Sequence, residues 1–316
     1  MEIELPGGDR PYVIIKPRRE AALTDIPAGM LMELFKAHGA LLLRGFGADV
    51  PGLRRLVVRH CCGSVFNESP GRDLLDADIN IQTVNGGSEA FPLHPELSRE
   101  PWKPDVAFFA CLNPPATGGE TTVCDGVELA AALPSAVRDA FAARHLVYIQ
   151  GAGPEILEFW LGTPTPSLQQ LRAPPPGCPY VFPVIDGQVT RVFSRPALHK
   201  PMFSDAPAFG NFLLFSRFFN GVRGFPCLDD GSPVPDQWLE AVALTAEPLT
   251  AAVTWAAGDV LMLDNSRFMH GRRAIVDADS RRIATFFGYL KDAPLDPYGP
   301  ADPVWRRTAF RPPRRN

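Results

Sequence analysis

The chain has 316 residues, 46% of them hydrophobic, and a net charge of −4. That is enough apolar material for a globular core, and the mixed, slightly acidic charge argues against a nucleic-acid partner. No stretch approaches the ~20 apolar residues that span a bilayer, and the acidic opening Met1-Glu2-Ile3-Glu4 has no signal-peptide core. The six cysteines lack metal spacing, so reduced thiols in a cytoplasmic protein are expected.

Thirty-four prolines predict many loops and short helices. Tyr12 to Lys16 reads as a strand. Thr24 or Asp25 followed by Pro27 starts a helix through Leu31, Leu34 and Phe35, and Gly39 stops it. Ala40 to Phe46 is a short buried strand. A second helix carries Leu53, Leu56, Val57 and His60 on one face and is expected to stop at Gly63. In Ile79 to Thr83, apolar and polar residues alternate, as in a strand with one polar face. Asn85 to Ser88 is a Gly-rich turn or a substrate lid.

Asp105 to Leu112 is a continuous apolar run, the pattern of a strand buried on both faces. Gly118-Gly119-Glu120-Thr121 turns into another strand. Asp125 with Glu128 spells a capping box. Pro134-Ser135 starts a helix ending near His145, and Leu146 to Ile149 returns as a strand. Residues 151–180 are rich in Pro, Thr and Gly, with one helix from Pro154 to Leu161. They read as an insertion within a single domain spanning 1–316, because they hold too few apolar residues for their own core. Val189 to Phe193 is a strand. Phe209 to Phe219 is either a buried helix or the wall of an apolar pocket. Pro235 to Leu244 is a helix, and Leu249 to Trp255, Asp259 to Leu263 and Arg282 to Leu290 are closing strands. The basic tail, 303–316 with Arg306, Arg307, Arg311, Arg314 and Arg315, is expected to be solvated. Many short strands among helices predict a mixed β fold, a double-sheet jelly roll decorated by helices.

The chemistry centres on Phe91-Pro92-Leu93-His94-Pro95-Glu96. In an extended segment, residues two apart share a side, so His94 and Glu96 can reach one point. One imidazole and one carboxylate there, joined by a second histidine, form a facial site for non-heme Fe(II) with open positions. His270, just past an apolar strand and before Gly271, is the candidate. His60 reads as a packed histidine, His38 and His145 sit at predicted helix ends, and His199 lies in a Pro-rich loop.

The order of motifs is His-x-Glu, Pro104-Asp105-x-x-x-Phe109, Gly-Gly-Glu-Thr (118–121), Asn-x-Arg-x-x-His-Gly-Arg (265–272), and an arginine near 281. This order resembles the TauD/TfdA family of Fe(II)- and 2-oxoglutarate-dependent dioxygenases, with its clavaminate-synthase-like branch nearest in character. The resemblance covers about Leu41 to Leu290. It implies a double-stranded β-helix (jelly-roll, cupin-like) core. It also implies His94, Glu96 and His270 as iron ligands, with 2-oxoglutarate chelating the metal and O2 taking the remaining position. The far carboxylate of 2-oxoglutarate would meet Thr121 and either Arg281 or Arg282. Adjacent residues on a strand face opposite sides, so only one of these arginines can serve. Many members carry a further arginine four residues on, whereas Thr285 or Phe286 stands here. The retained Glu96 implies oxygenation, desaturation or cyclisation rather than halogenation.

The implied function is oxidation of an unactivated C–H bond in a small amino-acid-like or natural-product substrate, with succinate and CO2 as co-products. Substrate candidates from the sequence are Asn67 to Arg72, Gln82, the Asn85–Glu89 loop, Arg191 or Arg195, and the Phe-rich run. The competing readings are a non-catalytic jelly-roll binding protein and a zinc-dependent hydrolase using the same three ligands.

Overall fold

The computed structural model describes residues 1–276 and 281–313. The strands Ala40–Leu43, Val260–Asp264, Val106–Asn113 and Arg282–Leu290 lie side by side at the centre of a large sheet, although they are far apart in the chain. Their sequences lack polar alternation because both faces of this sheet are covered. Side chains alternate across a strand, and the two halves of the alternation enter different cores. Val106, Phe108, Ala110, Val260, Met262, Ala284 and Phe286 pack beneath the helices Ala28–His38 and Val50–His60. Ala107, Phe109, Cys111, Leu261, Leu263, Ile283 and Phe287 pack toward a second sheet.

That second sheet has four antiparallel strands, in the order Ala251–Val253, Thr121–Asp125, Phe268–Arg272, Phe91–His94. Its Val123 shares a face with His270, whose ring meets Phe109 of the large sheet across the core. The two facing sheets are the jelly roll that the sequence predicts. A third sheet, built on Gln188–Pro196 paired with His145–Gly151, flanks them.

Several boundaries differ from the sequence reading. The second helix ends at His60, not Gly63, because Cys61 takes extended angles and opens the strand Cys61–Val65. His145 begins a strand paired with Pro196 rather than ending a helix, which stops at Ala142. The strand before the Gly-rich turn is only Ile81–Thr83, since Asn80 adopts φ 59°. Its Gln82 is buried rather than solvated, exchanging hydrogen bonds with the Asn67 backbone. Asp125 caps the helix Gly126–Ala132 through Val127 N–H, without the reciprocal Glu128 contact.

The segment after Gly151 forms Pro154–Leu161 as expected and a further helix, Leu168–Arg172. Their Ile156, Trp160 and Leu171 join the main core. Nor is the basic tail solvated through its described part. Ala309–Phe310 adds a parallel strand beside Ser64–Val65, and Arg306 pairs with buried Asp105 at 2.7 Å. Arg314 and Arg315 lie outside the described residues. All six cysteines are unpaired, and no helix among the described residues is long and apolar enough to cross a membrane.

Phe108 has no solvent exposure and fills the core under the helices. Phe108→Ala is expected to cost about 3–5 kcal/mol of unfolding free energy, read from urea denaturation. Val58→Ala on the exposed side of the neighbouring helix should stay within about 0.5 kcal/mol. Equal small losses would show that this core is not tightly packed.

Candidate metal centre and its cavity

His94 and His270 are direct cross-strand partners in the smaller sheet, with ring centroids 4.7 Å apart. Gly271 lets the strands close this tightly: a Cβ there would meet Phe91 O at 2.5 Å and Thr122 Oγ1 at 2.8 Å. The strand carrying His94 ends there, so Glu96 does not reach the site on extended backbone. It arrives through a turn in which Leu97 takes φ 51°. Asn265 holds that turn. Its Oδ1 accepts from Glu96 N–H at 2.8 Å, and its Nδ2 donates to Glu96 O at 3.0 Å and to Pro104 O at 2.9 Å.

Ligand atoms of His94, Glu96 and His270 lie within 4.8 Å of one another. Their protonation fits a divalent metal. Burial is the main cause holding His94 down at about 4, so its imidazole is neutral. His94 Nδ1 lies 2.8 Å from Pro92 O. That contact requires the proton on Nδ1 and leaves the Nε2 lone pair for a metal. Burial pushes the Glu96 carboxyl up, but Arg72 and the two histidines outweigh it and hold the group at about 2. Two imidazoles and one carboxylate are the donor set of a facial iron site.

Glu96 is also gripped from behind. Asn67 Nδ2 donates to its Oε2 at 2.9 Å, and Arg72 Nη2 stands 3.5 Å from its Oε1. Arg72 is further tied to Asn85 Oδ1 and to Thr285 Oγ1. Asn67 and Arg72, read from the sequence as substrate candidates, are therefore committed to the carboxylate. Arg191 and Arg195 are elsewhere, bonded to Gln150 and to Pro101 O respectively.

One wall of the cavity carries Thr121, Arg272 and Arg281. Thr121 Oγ1 accepts from Trp255 Nε1 at 3.1 Å, so its own proton can point elsewhere. Arg281 lies across Gly119, where a Cβ would meet its Cδ at 3.2 Å, and its Nε donates to Gly119 O. The φ of +70° at Gly119 and this contact account for the second glycine of Gly-Gly-Glu-Thr. Burial, then the charge of Arg272, lowers Arg281 to about 10, still cationic at neutral pH. Arg282 is exposed and does not line this cavity. The lining also has an aromatic part, with Phe212 and Phe215 from the Phe-rich run, which is both a short helix (Leu213–Phe218) and a pocket wall.

The roles of Asn265 and Arg272 were quoted in a motif without a function, and Arg99 on the aromatic wall had no signal at all. Arg272 donates to the carbonyls of Asn85 and Glu89, so it fastens the Gly-rich loop over the site.

The sequence model of the family described as "Taurine catabolism dioxygenase TauD, TfdA family" matches residues 12–287. A search of curated proteins finds no significant match. Among solved structures, PvcB from Pseudomonas aeruginosa is similar at 17% identity, with 93% of this chain and 92% of that one covered and a TM-score of 0.58. Another PvcB structure is described as an Fe, alpha-ketoglutarate dependent oxygenase from an isonitrile synthetic pathway. It gives 17% identity, 92% and 91% coverage and a TM-score of 0.59. A putative alpha-ketoglutarate-dependent taurine dioxygenase from Burkholderia xenovorans gives 15%, 94% and 93%, and 0.59. At these identities the likeness is one of fold.

Two predictions follow from the turn that sets Glu96. Asn265→Ala is expected to weaken Co(II) or Fe(II) binding about 10- to 100-fold, the usual cost of losing a ligand's support. Unchanged affinity in a metal titration would mean that the turn is held by other contacts. Beside it, buried Asp264 is raised to about 6, chiefly by burial and despite hydrogen bonds from Ser266. Its folded value lies above the ~3.9 of an unfolded aspartate. The stability carried by this proton is therefore full below about pH 4 and lost as pH rises through 6. In urea melts, Asp264→Asn should gain on the wild type by on the order of 2 kcal/mol between pH 4 and pH 7. A pH-independent gap would refute the raised value.

Proposed function

This chain belongs to the TauD/TfdA dioxygenase family, and from that premise we propose which residues perform the reaction and on what. It is an Fe(II)- and 2-oxoglutarate-dependent oxygenase, and we assign His94, Glu96 and His270 as the iron ligands. Thr121 and Arg281 receive the far carboxylate of 2-oxoglutarate. The substrate is a small amino-acid-like or natural-product molecule. One of its unactivated C–H bonds is oxidised by hydroxylation, desaturation or oxidative cyclisation, with succinate and CO2 as co-products.

The observation that carries this reading is a convergence in one cavity. Two imidazoles, that of His94 neutral, and an ionised carboxylate share a cavity with a hydroxyl and a guanidinium whose one hydrogen bond among the described residues is from its Nε. Bound iron supplies the activation of O2 that cleaves 2-oxoglutarate and removes hydrogen from the substrate. The protein supplies position and charge. Pro92 O fixes the His94 ring, and Asn265, Asn67 and Arg72 fix Glu96. Arg281 and Arg272 repel each other in a partly buried wall, a cost that a carboxylate between them would relieve. The guanidinium fork suits both carboxylate oxygens.

A zinc hydrolase would use the same three ligands but leaves the Thr121–Arg281 pair without a purpose. A binding protein leaves the ionised, metal-ready triad without one. The substrate class is supported by the likeness to PvcB, whose description places that protein in an isonitrile synthetic pathway. Six unpaired cysteines support a reducing compartment such as the cytoplasm.

Anaerobic addition of Fe(II) and 2-oxoglutarate to the metal-free protein should produce the weak visible charge-transfer band of the chelate. His94→Ala and His270→Ala should abolish it. Arg281→Leu should keep the iron but raise the Kd for 2-oxoglutarate about 10- to 100-fold, whereas Arg282→Leu should not. Absence of the band in the wild type would refute the oxygenase assignment. A loss confined to Arg282→Leu would reassign the carboxylate contact.

A further inference from the structure

Four arginines line the cavity: Arg72, Arg99, Arg272 and Arg281. Two are consumed by the protein. Arg72 serves Glu96, Asn85 and Thr285, and Arg272 serves the carbonyls of Asn85 and Glu89 while lying 4.2 Å over the Phe91 ring. Among the described residues, Arg281 spends its Nε alone, on Gly119 O. Arg99 is the fourth. Among the described residues its guanidinium makes no hydrogen bond and no ion pair. Its contact is with the face of Phe212, 5.2 Å from the ring centroid. Burial lowers its pKa, and Glu96 and Glu68 are the carboxylates whose charge bears on it.

A guanidinium lying over a ring has used its flat face and keeps its in-plane N–H edges free. A half-buried cation with free donors is costly unless a ligand completes it. Arg99 is carried on the turn after Glu96. Its Phe212 stacks on Phe215 at 5.3 Å, and Phe215 meets the His94 ring at 4.6 Å. The cation thus stands at one end of an aromatic surface whose other end is an assigned iron ligand.

We propose that Arg99 anchors the carboxylate of the substrate, and that the substrate is a small carboxylic acid whose apolar body lies along Phe212 and Phe215 toward the metal centre. This rests on the oxygenase reading above, in which Arg281 is occupied by the cosubstrate and Arg99 is left for the second anion.

The test measures binding, not turnover. Protein loaded with Fe(II) and saturating 2-oxoglutarate under anaerobic conditions is titrated with phenylacetate, 3-phenylpropanoate and 4-phenylbutanoate, and with the matching primary amides. At least one acid should bind about tenfold or more tightly than its amide, the scale of a hydrogen-bonded charge pair. Arg99→Leu should erase that preference while the Kd for 2-oxoglutarate stays within about twofold. Arg99→Lys should keep part of it, which separates lost charge from lost packing. Equal binding of acid and amide, binding of no acid, or a preference that survives in Arg99→Leu would overturn the proposal. A wild-type protein that fails to bind Fe(II) and 2-oxoglutarate would instead overturn the oxygenase assignment and be seen before any acid is added.

Discussion

Keeping one buried carboxylate ionised is the constraint around which the mouth of this protein is built. Glu96 is only 5% exposed, and an unpaired charge at that depth would take up a proton rather than bind a metal. The structure answers with Arg72, Asn67 and His270 around the carboxylate and Asn265 on its backbone. These partners come from three separate stretches, so the site exists only when the loop at 67–72, the turn at Asp264–Arg267 and the strand Phe268–Arg272 are all in place around the turn after His94. Arg72 extends the network to Asn85 and Thr285, and Arg272 binds the same loop from the other side. The Gly-rich segment at 85–89 is therefore fastened by two arginines that also face the cavity, by Arg272 at its backbone and by Arg72 at the Asn85 side chain.

The same logic divides the cations of the cavity. Near the smaller sheet, Arg281 and Arg272 stand with Thr121, and their mutual repulsion leaves that wall suited to an anion. Arg99, on the turn after Glu96, lies on the ring of Phe212. In the proposed reading, a cosubstrate with two carboxylates and a substrate with one are then received by different guanidinium groups, Arg281 and Arg99.

Much of this frame was legible in the chain. The unbroken apolar runs at 106–112 and 260–263 announced strands covered on both sides, and the structure shows which cover each face receives. His94, Glu96 and His270 could be grouped from motif order, although Glu96 joins the histidines through a turn and not on the extended backbone that its spacing suggests. What could not be read was who holds whom. Asn67 and Arg72 read as substrate candidates because their partner Glu96 is more than twenty positions away. Arg306 looked like a solvated tail residue because Asp105 is two hundred positions away. Gln82 looked like the polar face of a strand, yet its amide is spent on a neighbouring backbone. In each case a periodic pattern reports whether a side chain is polar but not which buried group it satisfies. His145 failed differently: the helix before it ended early, and pairing with Pro196 across seven residues won over local propensity.

The division between sheet and loop also bears on how selectivity can be set. The ligands His94 and His270, with Thr121, sit on paired strands of one sheet, whose register fixes their spacing. Phe212 and Phe215 belong to the segment around Leu213–Phe218, outside the sheets, and touch the metal centre only through the His94 ring. Substitutions in that segment can reshape the surface along which a substrate lies without shifting the strand register that holds the ligands. The two histidines and the aromatic surface are thereby placed on different elements, and the contact between Phe215 and His94 is where the two meet.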